Sequence, residues 1–189
     1  MVTKNELLLK LYSQHNKVVL QAIEEIRVRG WLSDGTMRGS ALCRVQLQGA
    51  DLVEADLSYV DFHQAGMEFV DLSNANLSGA KLTRAKLINA NLSKTDFNRA
   101  SLYKTNLRGC RNLTNEQLRK TKSLWGAIMP DGDSYDGRYN LPADLELARL
   151  RGVILDDHQA MADFYGVPLE TYLSGQKEGE AAITPGAQA

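Results

Sequence analysis

The sequence predicts a β-solenoid, and three observations carry that prediction. Between Gly30 and Gly109 a large apolar residue returns at every fifth position, sixteen times without a gap: Leu32, Met37, Leu42, Leu47, Leu52, Leu57, Phe62, Met67, Leu72, Leu77, Leu82, Leu87, Leu92, Phe97, Leu102 and Leu107. Two residues ahead of each stands a small or β-branched residue, as in Ser40, Val45, Ala50, Ala55, Val60, Ala65 and onward to Ala100 and Thr105. A period of five fits neither common element. On a helix, successive large residues would drift by about 140° and form no stripe. On a strand an odd period would flip each repeat to the other face. The pattern is consistent only with a chain that turns a corner once per repeat and points both residues at a common axis. Each unit then buries its inner face by stacking on its neighbours.

The runs ADLVE, ADLSY, ANLSG, AKLTR and ANLSK resemble the pentapeptide-repeat family, over roughly 80 of the 189 residues. The resemblance implies a right-handed quadrilateral β-helix with four repeats per coil, hence about four coils over residues 30–110. At a strand-like spacing of about 4.8 Å the shaft would be roughly 20 Å long. Twenty-residue intervals then assign the sides: Leu32, Leu52, Leu72 and Leu92 on one, Met37, Leu57, Leu77 and Phe97 on the next, Leu42, Phe62, Leu82 and Leu102 on the third, Leu47, Met67, Leu87 and Leu107 on the last. Gly30 and Gly35 fit the small slot poorly, so the first repeats are expected to be irregular.

Ahead of the shaft, residues 1–29 read as a helical cap. Thr3 and Glu6 have the spacing of a capping box. Leu8, Leu11, Tyr12, His15, Val18, Val19, Ala22, Ile23 and Ile26 recur at helical spacing, Asn16 is a candidate break, and Gly30 a candidate C-terminal stop. An uncovered solenoid end would invite pairing with other chains, which is the reason to expect a cap. Leu7 to Leu9 is cut short by Lys10, too brief for a leader's apolar core, and no apolar run reaches membrane-spanning length.

Beyond Cys110 the repeat breaks. Residues 111–175 read as a helical extension with a last partial coil, and 176–189 as a disordered tail. Thr114 and Gln117 repeat the capping-box spacing ahead of a short helix, Asn115 to Lys120. Leu124 and Met129, with Ala127, return to the five-residue pattern, and Trp125 is placed to cover apolar surface. Asp131-Gly132 and Asp136-Gly137 are turn dipeptides. Asp131, Asp133 and Asp136 do not make a calcium loop, because Tyr135 and Pro142 fall on ligand slots. Helices are expected over Pro142 to Arg151, from Asp156 or Asp157 through Tyr165, and from Pro168 through Leu173. The run ADFYGVPLETYL has the spacing of a helix-turn-helix. Its setting, with Asp156, Asp157, Asp163 and Glu170 and no base from Ile154 to Gly175, lacks the cations a DNA reader needs.

The outward columns carry the candidate binding surface. Six acids and no base lie between residues 51 and 71: Asp51, Glu54, Asp56, Asp61, Glu68 and Asp71. Seven bases and one acid, Asp96, lie between residues 81 and 108: Lys81, Arg84, Lys86, Lys94, Arg99, Lys104 and Arg108. Wrapped on a solenoid these become an acidic and a basic band. Val53, Tyr59, Phe69, Ile88 and Tyr103 are large apolar residues in outward columns. Phe69 and Ile88 fall on the same side in consecutive coils.

The formal net charge of −1 gives no pull toward nucleic acid or an acidic membrane. Two cysteines make no disulfide framework, Cys43 facing outward and Cys110 taking an inward slot, so a reducing compartment is expected. His15, His63 and His158 sit in separate segments with no nucleophile beside them. No phosphate-cradling loop, nucleophile elbow or Cys-x-x-Cys stands in the chain. The expectation is a non-enzymatic protein-binding or scaffold module of a bacterial cytoplasm, with no catalytic residue, metal or cofactor. Its expected partner is another protein or a second copy of itself, not nucleic acid or membrane. The resemblance adds a second expectation, since some family members imitate DNA and modulate type II topoisomerases. A shaft with a basic half departs from the continuous negative charge that such mimicry needs. The third is a structural unit that assembles head to tail through its opposite bands.

Overall fold

The repeated pair of inward residues builds a shaft whose core is its own side chains. In the computed structural model, which describes residues 2–181, all sixteen large residues from Leu32 to Leu107 are buried. So is every small-slot residue from Val45 to Thr105. Parallel bridges join residues twenty apart: Ala41 to Asp61 to Lys81 to Ser101 on one side, Gln46 to Gly66 to Lys86 to Asn106 on the next, Asp51 to Asp71 to Asn91 to Arg111, and Asp56 to Asn76 to Asp96. The bridging residue stands immediately before each large residue. Its amide and that of the large residue bond successive coils in opposite directions, as in Leu72 N–H to Asn91 O at 2.9 Å and Asp71 N–H to Ala50 O at 3.0 Å.

Each corner is a tight turn closed by the next small residue, as in Ala75 N–H to Leu72 O at 2.9 Å. The second residue after the large one takes positive φ: Glu54 59°, Tyr59 60°, Phe69 59°, Arg84 59° and Lys104 55°, with glycine at Gly49, Gly79 and Gly109. That sign is what a type II turn requires at its third position. Polar side chains complete the turns. The carboxylates of Asp51, Asp56, Asp61 and Asp71 each accept the backbone N–H two residues on, at 2.9–3.2 Å. Asn76, Asn91, Asp96 and Asn106 do the same. These are Asx turns, which is why short polar residues recur at that place. Inside, the hydroxyls of Thr95 and Thr105 donate to the carbonyls of Leu72 and Leu82 at 2.8 and 2.7 Å, so these two inward hydroxyls are satisfied. Cys110 occupies the same kind of slot. Its thiol donates to Leu87 O, and burial pushes it up to about 12.

At the N-terminal end, α1 (Lys4–Lys10) opens on a Thr3–Glu6 capping box, and α2 (Asn16–Val28) packs against it. The chain breaks over residues 11–15, and Asn16 is the first residue of α2 rather than the break itself. Both helices are tied to the first coils: Tyr12 Oη donates to Ala41 O at 2.7 Å, Asn16 Nδ2 to Gln48 O at 3.2 Å, and Lys4 and Arg27 to the carbonyls of Thr36 and Asp51.

At the other end, α3 (Asn115–Arg119) opens on a Thr114–Gln117 capping box. The Gln117 amide also donates to the carbonyls of Leu92 and Thr95, both at 2.8 Å. Coil pairing resumes with a twenty-two-residue step, Ser101 to Ser123 and Asn106 to Ile128. Then follow α4 (Pro142–Leu150), α5 (His158–Tyr165), capped by Asp157, and α6 (Leu169–Ala181). Gly166, at φ 71°, turns the chain between the last two. One expectation changes here. The tail expected from residue 176 is not found over residues 176–181, where α6 continues to Ala181. Arg138 reaches Glu178 at 2.6 Å, and Arg119 donates to Gly179 O at 2.9 Å, holding that turn. Residues 182–189 of the expected tail lie outside the described residues. Asp136, one of the three acids around the turns, is buried and takes a forked contact from Arg138 at 2.9–3.2 Å.

Candidate interaction surface

The coil period distributes the candidate residues around all four sides. Asp51, Glu54 and Asp71 share one side. Asp56, Tyr59 and Arg99 share the second. Asp61, Lys81, Arg84, Tyr103 and Lys104 lie on the third, and Glu68, Phe69, Lys86 and Ile88 on the fourth. They are therefore not one surface.

Phe69 and Ile88 are brought together. The Phe69 N–H donates to Ile88 O at 2.9 Å, so the two stand in adjacent coils. Phe69 is 66% exposed, and Ile88 is half-buried beside it. Phe69 also holds a left-handed corner, φ 59°, in a column whose other members are Gly49, Asn89 and Gly109. Glycine and asparagine are the residues that accept this conformation at least cost, and a bulky side chain there carries strain. Neither backbone preference nor core packing accounts for a phenylalanine at this corner.

The other outward aromatics have structural roles. Tyr59 is 61% exposed, but its ring lies over Gly79 of the next coil, where a Cβ would meet it at 2.7 Å. Tyr103, expected as a free outward residue, is half-buried. Trp125 of the last coil stacks on it with ring centroids 5.3 Å apart, and Phe164 of α5 sits 5.8 Å beyond Trp125. The Lys104 ammonium stands 5.0 Å from the Trp125 ring and the Arg151 guanidinium 4.5 Å from it. Trp125 thus covers Tyr103, and α5 covers Trp125, while Arg84 and Lys104 of the same side stay exposed.

The acidic band is not a row of free charges. Asp51 pairs with Arg27 of α2 at 2.7 Å, Asp56 lies 3.9 Å from Arg38, and Asp61 lies 3.8 Å from Lys81 of the next coil. Burial pushes Asp71 upward, but the Ser73 hydroxyl and amide, Asn91 and Arg111 together hold its carboxyl below the usual carboxylate range. Four of the six acids are thus turn caps. Glu54 and Glu68 are not, and one Glu68 carboxylate oxygen is enclosed with no hydrogen-bond partner.

The bridge ladder steps by twenty with a corner every five residues, and over this ladder the family model described as pentapeptide repeats matches residues 42–79 and 75–111. The shaft belongs to the pentapeptide-repeat family. Members of this family form right-handed quadrilateral β-helices. Solved structures of pentapeptide-repeat proteins are similar to it. One is HetL, involved in heterocyst differentiation regulation in the cyanobacterium Nostoc sp. strain PCC 7120. It is 39% identical over 49% of this chain and 42% of its own, with a TM-score of 0.47. Another is a protein of the Arabidopsis thaliana thylakoid lumen, 25% identical over 61% of this chain and 79% of its own, TM-score 0.26. A third is QnrB1, a plasmid-mediated fluoroquinolone resistance protein, 20% identical over 60% of this chain and 62% of its own, TM-score 0.29. The chain spans about two fifths of HetL. No curated protein matches it.

Among the described residues no helix is long and apolar enough to cross a membrane. Cys43 and Cys110 are both free thiols on this pentapeptide-repeat shaft.

Proposed function

We propose that this chain is a non-enzymatic protein-binding module, a rigid four-coil shaft with helical caps that docks a partner protein through Phe69 and Ile88. The observation that carries the reading is Phe69 itself. A large apolar side chain is held two-thirds exposed at a corner whose φ of 59° favours glycine. Glu54, Tyr59 and Arg84 share that φ as the turn's own geometry, so what sets Phe69 apart is its exposed ring in a column otherwise filled by Gly49, Asn89 and Gly109. Exposed aromatics are the side chains that most often anchor protein interfaces. The filled interior supports the non-enzymatic reading, since the inward columns leave the shaft no internal cleft. The helices support the cap reading through their bonds to the terminal coils, Tyr12 to Ala41 at one end and Trp125 Nε1 to Phe164 O, at 3.0 Å, at the other.

The test is affinity capture of the tagged protein from its native lysate, with Phe69→Glu/Ile88→Glu as a parallel bait. The captured protein is then rebound in purified form. A partner that binds directly and is lost with the double variant supports the reading. A partner that binds both baits equally contradicts it.

A further inference from the structure

With twenty residues per coil, positions ten apart lie on opposite edges of the shaft. Down one edge run Arg44, Gln64, Arg84 and Lys104, with Lys86 beside Arg84 and no acid. Down the opposite edge run Asp34, Glu54, Asn74 and Lys94, with Asp56 beside Glu54 and Asp96 beside Lys94. The charges are therefore sorted across the shaft as well as along it. Arg44, Arg84, Lys86 and Lys104 are exposed. Among the described residues none of them is within 4.0 Å of a carboxylate, the ion pairs lying elsewhere.

We propose that the basic edge docks on the acidic edge of a second copy of this chain, the two shafts side by side with their axes opposed. The pitch argues for a second copy. Both edges step by one coil, about 4.8 Å, so the charges of another shaft fall in register coil by coil. The order of charges argues for opposed axes. In that arrangement Glu54 and Asp56 face Arg84 and Lys86, Asp34 faces Lys104, the neutral Asn74 faces the neutral Gln64, and Arg44 faces the self-neutralising pair Lys94 and Asp96. With axes parallel, only Asp34 would face a base, Arg44; Glu54 and Asp56 would face Gln64, Arg84 and Lys86 would face Asn74, and Lys104 would face the pair Lys94 and Asp96. Arg38 lies 3.9 Å from Asp56, and Lys4 bonds the Thr36 carbonyl near Asp34, so Glu54 is the acid of this edge with no cation beside it. The two edges are different surfaces. The contact is therefore heterologous, and each copy keeps one edge free for the next, giving an open row rather than a closed dimer. Phe69 lies at neither edge, so this contact and the partner docking above are independent.

The experiment is the mass in solution, against a monomer of 20.9 kDa. It is read at about 10 mM ionic strength, where charges act over roughly 30 Å, and at about 1 M, where they act over roughly 3 Å. Two variants accompany the wild type: Glu54→Lys/Asp56→Asn and Arg84→Glu/Lys86→Glu. The chain already holds lysine at this corner in Lys94 and Lys104, glutamate in Glu54, and an asparagine cap in Asn76, and Lys86 is exposed, so neither variant disturbs an inward column. Circular dichroism melting verifies that. The wild type is expected above monomer mass at low ionic strength and at monomer mass at high. Each variant alone is expected to stay monomeric. An equimolar mixture is expected to regain mass, since each supplies the edge the other has reversed. A wild type that stays at 20.9 kDa at low ionic strength, a variant that associates as the wild type does, or a mixture that stays monomeric would each overturn the proposal.

Discussion

Asp144 of α4 caps a turn that belongs to Ser123, twenty-one residues earlier. In the shaft the residue before each large one is commonly an aspartate or asparagine that caps its own corner. At the last coil that residue is Ser123, whose hydroxyl accepts from Trp125 N–H only at 3.4 Å. The Asp144 carboxylate takes over, accepting from the Ser123 hydroxyl, from Leu124 N–H at 3.1 Å and from Trp125 N–H at 3.2 Å. Asp144 is fully buried, and burial pushes its pKa up, against the pull of those three donors.

Asp144→Ala should therefore detach the extension from the shaft before the shaft itself melts. It leaves the Leu124 N–H and the Ser123 hydroxyl buried without that acceptor, at about 1–3 kcal/mol for each unsatisfied group. Hydrogen exchange should show protection lost over Ser123–Trp125 and α4, with the amides of Leu72 and Leu82 still protected. Uniform loss along the whole chain would contradict the latch.

The inward columns give a second prediction. Leu77 is fully buried in the middle of its side. Leu77→Ala should cost about 2–5 kcal/mol, the range for a core truncation that leaves a cavity. Denaturant unfolding measures it directly, and an unchanged midpoint would rule out the inward placement.

Acid should weaken the shaft through Asp71. Its folded pKa is lowered, so its contribution is fully present above the unfolded value, about 3.9, and is lost as the pH falls through the folded value. Asp71→Asn keeps an Asx cap, as Asn76 and Asn91 do in neighbouring coils. Its melting temperature should fall less steeply between about pH 4 and pH 2 than the wild type's. Parallel curves would remove Asp71 from the acid response.

The legibility of these features differs in kind. The sixteen large residues declare the inward columns because a fixed period survives translation into coils. Thr3–Glu6 and Thr114–Gln117 declare helix starts because a capping box is local. Tyr103 was not legible as covered, because its cover comes from Trp125 and Phe164, and nothing local says that α5 folds back over that side. The role of Asp56 and Asp71 was half legible. The serine two residues after each marks a turn cap, but counted as charge the same residues read as a free acidic band. The end of α6 rests on Arg138 and Arg119, both distant in sequence.

Phe69 is where stability and binding should separate. Phe69→Asn replaces a bulky residue at a left-handed corner with one that tolerates it, and deletes the exposed ring. The most direct test is one purified pair, the variant and the partner captured by the wild type, with the melting temperature and the dissociation constant measured together. The account predicts a melting temperature equal to or above the wild type's and a dissociation constant weakened by roughly 30-fold or more, the mark of an interface anchor worth about 2 kcal/mol. A lowered melting temperature with undiminished affinity would mean that Phe69 serves the fold, and would contradict the docking role.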